Sequence, residues 1–347
     1  MNRDFKQLLG TELPIIQAPM AGVQGSALAI AVSEAGGLGS LPCGMLTIED
    51  IVSEMELIKA STSKPFNLNF FCHDPKPYDE DRQIIWRETL QPYFDELGLQ
   101  VESSASGSRV PFSHDIADAI EPFLPEFISF HFGLPDKHLL QRVKSWGTKV
   151  VSSATTVEEA LWLESHGVDG IIAQGVEAGG HRGMFLSSDI STQMGLVPLV
   201  SQVVNRVKVP VIAAGGMSDR HSVLACMKLG ASAVQLGTAY LLCTEANTSE
   251  VHKQAIQSAK SSHTVLTNLF SGKPARGIMN RVMSELGCMT ARAPEFPYAS
   301  IEISQLRRRA EKQGLDDFSP LWCGQNTQGC KQISARDLTL QLAGKSD

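Results

Sequence analysis

The chain has 347 residues, 43% of them hydrophobic and 19% charged, with a net charge of −7. That balance excludes a disordered chain, and the length suits one α/β barrel with additions, since such barrels take about 250 residues. The acidic surplus argues against a nucleic-acid partner, which needs clustered Lys and Arg; the one basic run, Arg307-Arg308-Arg309, reads as a solvated helix face.

The start, Met1-Asn2-Arg3-Asp4-Phe5-Lys6, is followed by no apolar segment of the kind that directs secretion, and no apolar run approaches the roughly 20 residues that cross a bilayer. Seven scattered cysteines without a C-x-x-C pair suit free thiols in a reducing compartment. The expectation is a cytoplasmic protein with neither membrane nor nucleic-acid partners, monomeric or homodimeric.

Short apolar runs alternate with amphipathic stretches along the chain. Residues 14–20 (PIIQAPM) read as a first strand, and 26–35 (SALAIAVSEA) as a helix that stops at Gly36-Gly37. Residues 38–42 form a second strand; Thr47 then opens a helix with Asp50 completing a capping box. Residues 66–72 (FNLNFFC) are the third strand. The pattern breaks over residues 74–122, which are charged, Pro-containing and partly helical (79–97), and read as an insertion able to cover a site. Strands resume at 127–132 (FISFHF), 149–154 (KVVSSA), 170–175 (GIIAQG), 210–216 (PVIAAGG) and 233–238 (AVQLGT). Helices are expected at 136–146, from Thr156, and at 218–229 with Ser218 as its cap.

Eight apolar strands separated by helices predict a (β/α)8 TIM barrel, buried on both faces of its sheet. A doubly wound open sheet usually carries G-x-G-x-x-G between a strand and a helix, and no such motif occurs in that context here. The predicted division is a barrel over 1–246, with the 74–122 insertion, and a helical segment over 247–347 packing across the active-site face.

Active sites of such barrels lie at the C-terminal strand ends. Gly215-Gly216 and Gly237-Thr238 each precede a helix. Glycine lets backbone N–H groups approach an anion, and a helix N-terminus adds positive potential; two such turns side by side make a phosphate cradle. After the sixth strand, Glu177-Ala178-Gly179-Gly180-His181-Arg182-Gly183 gives a loop that can lie against a planar ligand and place an imidazole over the barrel mouth. Asn69 and Gln174 are amides inside apolar strands, able to match the donors and acceptors of a heterocycle or to bond within the barrel. His73, His131 and His181 all fall near strand ends. The first strand, however, offers Gln17 and Met20 rather than the His-x-His of barrel metal hydrolases, so no metal is expected. A G-x-S-x-G elbow is missing as well.

Residues 14–22 (PIIQAPMAG), 64–69 (KPFNLN), 174–183 (QGVEAGGHRG), 213–216 (AAGG), 235–238 (QLGT) and 321–325 (LWCGQ) resemble nitronate monooxygenases, in order along the chain. The resemblance implies non-covalent FMN, contacted by Met20, Asn69, Gln174, Gly179, Gly216, Gln235, Leu236, Gly237 and Thr238, with His181 as the catalytic histidine. It implies oxidation of an alkyl nitronate by dioxygen to a carbonyl compound and nitrite, with propionate 3-nitronate as a physiological substrate. Its carboxylate would want a cation or hydroxyl, for which Tyr298 and Arg307 are candidates; His131 is a further substrate candidate. The competing family is the FMN-dependent enoyl-acyl carrier protein reductases, which use NAD(P)H and share the barrel and a similar GGH loop.

Overall fold

A computed structural model describes residues 5–102 and 109–345. Eight parallel strands form its centre: β1 (Ile15–Gln17), β2 (Gly39–Pro42), β3 (Phe66–Phe71), β4 (Phe127–His131), β5 (Lys149–Ala154), β6 (Gly170–Gln174), β7 (Val211–Ala214) and β8 (Ala233–Leu236). Neighbours follow chain order, β8 pairs with β1, and a parallel bridge from Ile16 to Leu38 closes the ring between β1 and β2. This is the predicted (β/α)8 barrel. Several strands are shorter than predicted at their C-terminal ends. Past Ala214 the backbone of Gly215 and Gly216 takes positive φ, and Phe132 does the same past β4, so the chain leaves the ladder there and turns over the barrel mouth.

The helices form where predicted, with one cap moved. Thr47 and Asp50 make the reciprocal capping box of Ile48–Ser61. The helix Arg220–Lys228 is capped by Asp219, whose carboxylate accepts from the Ser222 amide, rather than by Ser218; Asp219 is the residue one position before the first helical turn.

The barrel's lower opening is plugged by the N-terminal helix Phe5–Leu9. Its Leu8 and Leu9 pack with Ile16, Leu38, Val151, Ile172 and Ile212. Above this apolar plug lies a polar layer: Asn67 Nδ2 donates to Ser40 Oγ (3.0 Å) and Ser129 Oγ (2.9 Å), and Ser40 Oγ donates to the Gln17 carbonyl (2.6 Å). Among the described residues, the upper end of the barrel opens into a ligand-sized space.

Two of the eight outer helices come from unexpected places. His114–Ile120 packs between Ile48–Ser61 and Lys137–Ser145, so the last part of the 74–122 stretch is the barrel's third helix. Ala335–Ala343 packs against Ser26–Glu34 and Arg220–Lys228 and fills the eighth helix position. The segment beyond residue 246 is not wholly helical either. Strands Thr264–Thr267 and Ala275–Ile278 pair antiparallel, and the second also pairs with Gly180–His181. Strands of two and four residues carry too little periodicity to be read from sequence.

The insertion helix Glu80–Glu96 and the C-terminal helix Ser300–Glu311 share one core, centred on Trp86, Leu90, Phe94, Leu306 and Phe318. Trp86 is fully buried, and its indole N–H donates to the Ala299 carbonyl at 3.1 Å. Trp86→Ala removes this anchor and leaves a cavity. Urea unfolding is expected to show a loss of about 3–5 kcal/mol, the range for truncating a buried aromatic side chain to alanine.

No helix among the described residues is long and apolar enough to cross a membrane.

Candidate active site

A cavity of about 260 Å³ opens at the C-terminal ends of the barrel strands. At one side β7 and β8 lie in register, Ala214 opposite Gln235, so the turns that follow them are neighbours and both line the cavity. Gly215 (φ +119°) and Gly216 (φ +69°) hold conformations that L side chains disfavour. Among the backbone hydrogen bonds of the described residues, none uses the N–H groups of Gly215, Gly216, Gly237 or Thr238 as donor. Two adjacent glycine turns thus present unused amides to one space, which suits a phosphoryl group.

The C-terminal segment closes this end. Gly324 N–H donates to Thr238 Oγ1 (2.9 Å), Asn326 Nδ2 donates to the Gly216 carbonyl (3.2 Å), and the Cys330 thiol approaches the Thr238 carbonyl (3.1 Å). Gly179 has no room for a side chain: a Cβ would stand 2.6 Å from both the Cys323 carbonyl carbon and the Gly324 nitrogen.

The loop after β6 is fixed from several sides. Arg182 is fully buried without a carboxylate partner; its guanidinium donates to the carbonyls of Gly175 and Gln174 (each 2.8 Å) and to Gln193 Oε1 (2.8 Å). Gln174 lines the cavity but uses both ends of its amide internally. Nε2 donates to the His181 carbonyl (3.0 Å) and Oε1 accepts from Gly183 N–H (2.8 Å). His131 behaves in the same way: Nε2 lies 3.2 Å from the His181 carbonyl and Nδ1 lies 3.0 Å from Ser153 Oγ. Both ring nitrogens are occupied, so His131 acts on the loop rather than offering a free nitrogen to a ligand. Asn69 is divided: its Nδ2 donates to the Ser129 carbonyl (3.1 Å) and hydroxyl (2.9 Å), and its oxygen makes no bond within the barrel.

His181 lines the cavity, with Nε2 2.8 Å from Ser271 Oγ and its ring among Phe71, Phe132, Phe296 and Trp322. Burial holds its pKa well below the ordinary 6.5, and the charges of Arg109, His131, Lys273 and His73 act in the same direction. The imidazole is therefore neutral near pH 7.

The cavity wall contains two arginines, Arg109 and Arg307, and no Asp or Glu among the described residues. Both arginines also border a smaller adjoining chamber of about 90 Å³, lined further by Ser300, Ser304, Phe270 and Phe318. Burial lowers the Arg109 pKa to about 10, which leaves it charged, and its Nη1 is buried without a hydrogen-bond partner among the described residues. Gln235 Oε1 and His252 Nε2, on residues of the same wall, are also buried and have no hydrogen-bond partner among the described residues. Such orphaned groups in a positively charged cleft mark a place where a polar, anionic ligand completes the bonding.

The structure thus brings Met20, Asn69, His131, Gln174, Gly179, His181, Gly216, Gln235, Leu236, Gly237 and Thr238 around one space. Tyr298 is not in its wall: its hydroxyl donates to the Lys76 carbonyl (2.9 Å) and its ring meets Tyr78 edge-on at 5.4 Å. Arg307, read both within a solvated run and as a candidate for the substrate carboxylate, lines the cavity, while Arg308 and Arg309 are exposed. Arg109 and His252 were missed, and no local pattern marks either of them. His73 joins an aromatic cluster, 4.7 Å from the Phe296 ring, and among the described residues no group of His, Cys, Asp or Glu is arranged to hold a metal.

Burial also lowers the pKa of His73, His131 and His252 to about 4 from the ordinary 6.5. Between those values the unfolded chain binds protons that the folded chain refuses. Their contribution to stability is complete above pH 6.5 and is lost as pH falls toward 4. The urea midpoint is expected to fall over that window, and to fall less in a His252→Gln variant.

Fold and site define a (β/α)8 protein with two glycine turns of unused amides and a neutral histidine at the barrel mouth. The nitronate monooxygenase family model matches residues 2–344. A nitronate monooxygenase of Pseudomonas aeruginosa is 37% identical over 99% of this chain and 98% of its own, and a probable nitronate monooxygenase of Bacillus subtilis is 39% identical over the same shares. The crystal structure of a nitroalkane oxidase from Streptomyces ansochromogenes superposes with a TM-score of 0.88 at 35% identity, covering 98% of this chain and 97% of that one. The chain belongs to the nitronate monooxygenase family and is an oxidoreductase of nitronates. Likeness to a point mutant of FabK from Thermotoga maritima is weaker, with a TM-score of 0.71 at 26% identity over 99% of this chain and 96% of that one. An enoyl reductase domain from Bacillus amyloliquefaciens, 15% identical with a TM-score of 0.54, shares the fold alone. The reductase alternative is accordingly the less favoured.

Proposed function

We propose that the chain is an FMN-dependent nitronate monooxygenase that takes small anionic nitronates, propionate 3-nitronate among them, and releases a carbonyl compound and nitrite. The observation that carries this reading is the pairing of unused amides at Gly215, Gly216, Gly237 and Thr238 with a cavity whose described wall has no carboxylate and holds Arg109, Arg307 and a neutral His181. The amides would hold the phosphate, and Met20, Asn69, Gly179 and Gln235 would border the ring system. Bound FMN supplies the electron transfer between substrate and dioxygen.

The remaining work belongs to side chains of this protein. Arg109 and Arg307 supply the positive potential that attracts the anion, a role a neutral His181 cannot fill. The chamber they share with Ser300 and Ser304 offers donors to a second acidic group on the substrate. The imidazole stands at the reacting face as a hydrogen-bonding or proton-accepting group. Phe71, Phe132, Phe296 and Trp322 keep water from that face.

Purified protein is expected to be yellow, to bleach when a nitronate is added without air, and to regain colour with air while nitrite accumulates. A colourless protein, or one that consumes NADH or NADPH with an enoyl thioester and releases no nitrite from a nitronate, overturns the reading. Arg307→Ala is expected to raise KM for propionate 3-nitronate roughly 10- to 100-fold, the loss of one hydrogen bond to a charged group, and to change KM for ethyl nitronate much less. Equal changes for both substrates would place the arginine away from the carboxylate.

A further inference from the structure

We propose that Ser271 is a positioning residue for His181. Its hydroxyl accepts the imidazole Nε2 proton and so holds the ring in the one tautomer whose Nδ1 lone pair faces the cavity. The inference rests on the reading of His181 as the group that meets the substrate.

The geometry is built from a single hairpin. Thr264–Thr267 and Ala275–Ile278 are joined by a turn that carries Ser271, and Ala275 stands opposite His181 in the three-stranded sheet. The hairpin therefore holds the histidine twice, through its backbone and through its ring. Ser271 is 1% exposed, and its Oγ lies 2.8 Å from His181 Nε2. The same hydroxyl is 3.3 Å from the Lys273 carbonyl, to which no other donor is directed among the described residues. A hydroxyl has one proton to give. If Ser271 gives it to Lys273, the short contact to His181 must run the other way, with Nε2–H as donor and Oγ as acceptor. Turning the hydroxyl toward the ring would forfeit the bond to the Lys273 carbonyl.

The turn cannot easily drift. Gly272 sits at φ +90° with its N–H on the Asn268 carbonyl (2.8 Å), and a Cβ there would stand 2.4 Å from the Pro294 oxygen and 2.6 Å from the Phe296 nitrogen. Ser271 is thus wedged between the ring it orients and the segment that carries Phe296. His181 Nδ1 makes no hydrogen bond to the described residues, although the ring is enclosed by aromatic neighbours. A lone pair placed there can take the α-proton of a neutral nitroalkane: the C–H bond breaks, its electron pair moves into the nitro group, and the proton ends on Nδ1. The imidazolium so formed keeps Nε2–H on Ser271, a hydrogen bond that strengthens as the ring becomes charged. The residue is the counterpart, in position and role, of the group that orients a catalytic base from its far side.

The test reads the tautomer directly. The holoenzyme is labelled with ¹⁵N at its nine histidines. The His181 signals are assigned by their loss in a His181→Asn variant. Wild type is expected to show a protonated Nε2 and an unprotonated Nδ1. In Ser271→Ala the signals should move to a mixture of tautomers, and proton abstraction from nitroethane should slow roughly 10-fold or more, within the span of general-base contributions. Ser271→Thr, which keeps the hydroxyl, should restore both. Ser271→Cys keeps the shape with a poor acceptor and should match alanine, which covers a fold that does not tolerate the smaller residue. A protonated Nδ1 in wild type, or an Nε2–H tautomer that survives in both Ser271→Ala and Ser271→Cys, overturns the proposal. The tautomer is read without turnover, so failure to release nitrite from any nitronate would count against the proposed function and not against this placement.

Discussion

His181→Ala is expected to lower nitrite release from nitroethane, whose α-proton a base must remove, by roughly 10²- to 10⁴-fold, the range for removing a positioned acid–base group, while flavin stays bound. The separation of the two effects follows from where the loads fall. The proposed phosphate cradle lies on the turns after β7 and β8, which the C-terminal segment covers through Gly324 and Asn326. His181 contributes its side chain to neither. Its backbone carbonyl, which Gln174 and His131 both address, is kept by alanine, so the loop retains its anchor. The aromatic cage around the ring loses one member and gains a small void, with a modest effect on stability. The measurement is steady-state nitrite formation beside the visible spectrum of the purified variant. Turnover unchanged with flavin bound would remove the histidine from the chemistry. Loss of flavin would mean that the ring, and not only the cradle, holds the cofactor.

Gly216→Val is the second large expectation: at least a roughly 100-fold loss of FMN affinity, about 3 kcal/mol at 1.4 kcal/mol per tenfold. Gly216 sits at φ +69°, where a β-branched residue is strongly disfavoured, and a Cβ there would press on Glu177 Cβ at 3.1 Å. To relieve that strain the peptide must rotate, which turns its amide away from the cradle. Glu177 cannot yield freely, because its carboxylate accepts the Leu196 amide at 2.9 Å and so caps the helix Leu196–Arg206. Gly147→Ala is the control. It also has positive φ, at +84°, with nothing within 4 Å of a Cβ, and it is far from the cavity wall. The control should lose some stability and keep its flavin, whereas Gly216→Val should elute with little colour and an unchanged far-ultraviolet spectrum. Full flavin occupancy in the valine variant would show that the phosphate is held elsewhere.

These effects differ in how visible they were from the sequence. Glycine pairs after the last two strands, and a histidine between glycines after the sixth, are local features: their meaning comes from φ, from the missing Cβ and from their distance to a strand end. The alternation of apolar runs that fixed the barrel is local too, since burial on both faces writes itself into each strand separately. Sequence alone therefore determined the barrel, and it marked two turns and one imidazole that the fold brings to a single cavity. Partnerships across the chain belonged to the tertiary structure. It decided that His131 and Gln174 brace the loop and that Arg109 and Arg307 enter the cavity while Tyr298 does not. It also brought His114–Ile120 and Ala335–Ala343 into the outer ring and placed Ser271 behind His181. Each of these depends on which distant segment packs opposite which, and that is settled by the summed burial of many side chains rather than by any short run of residues.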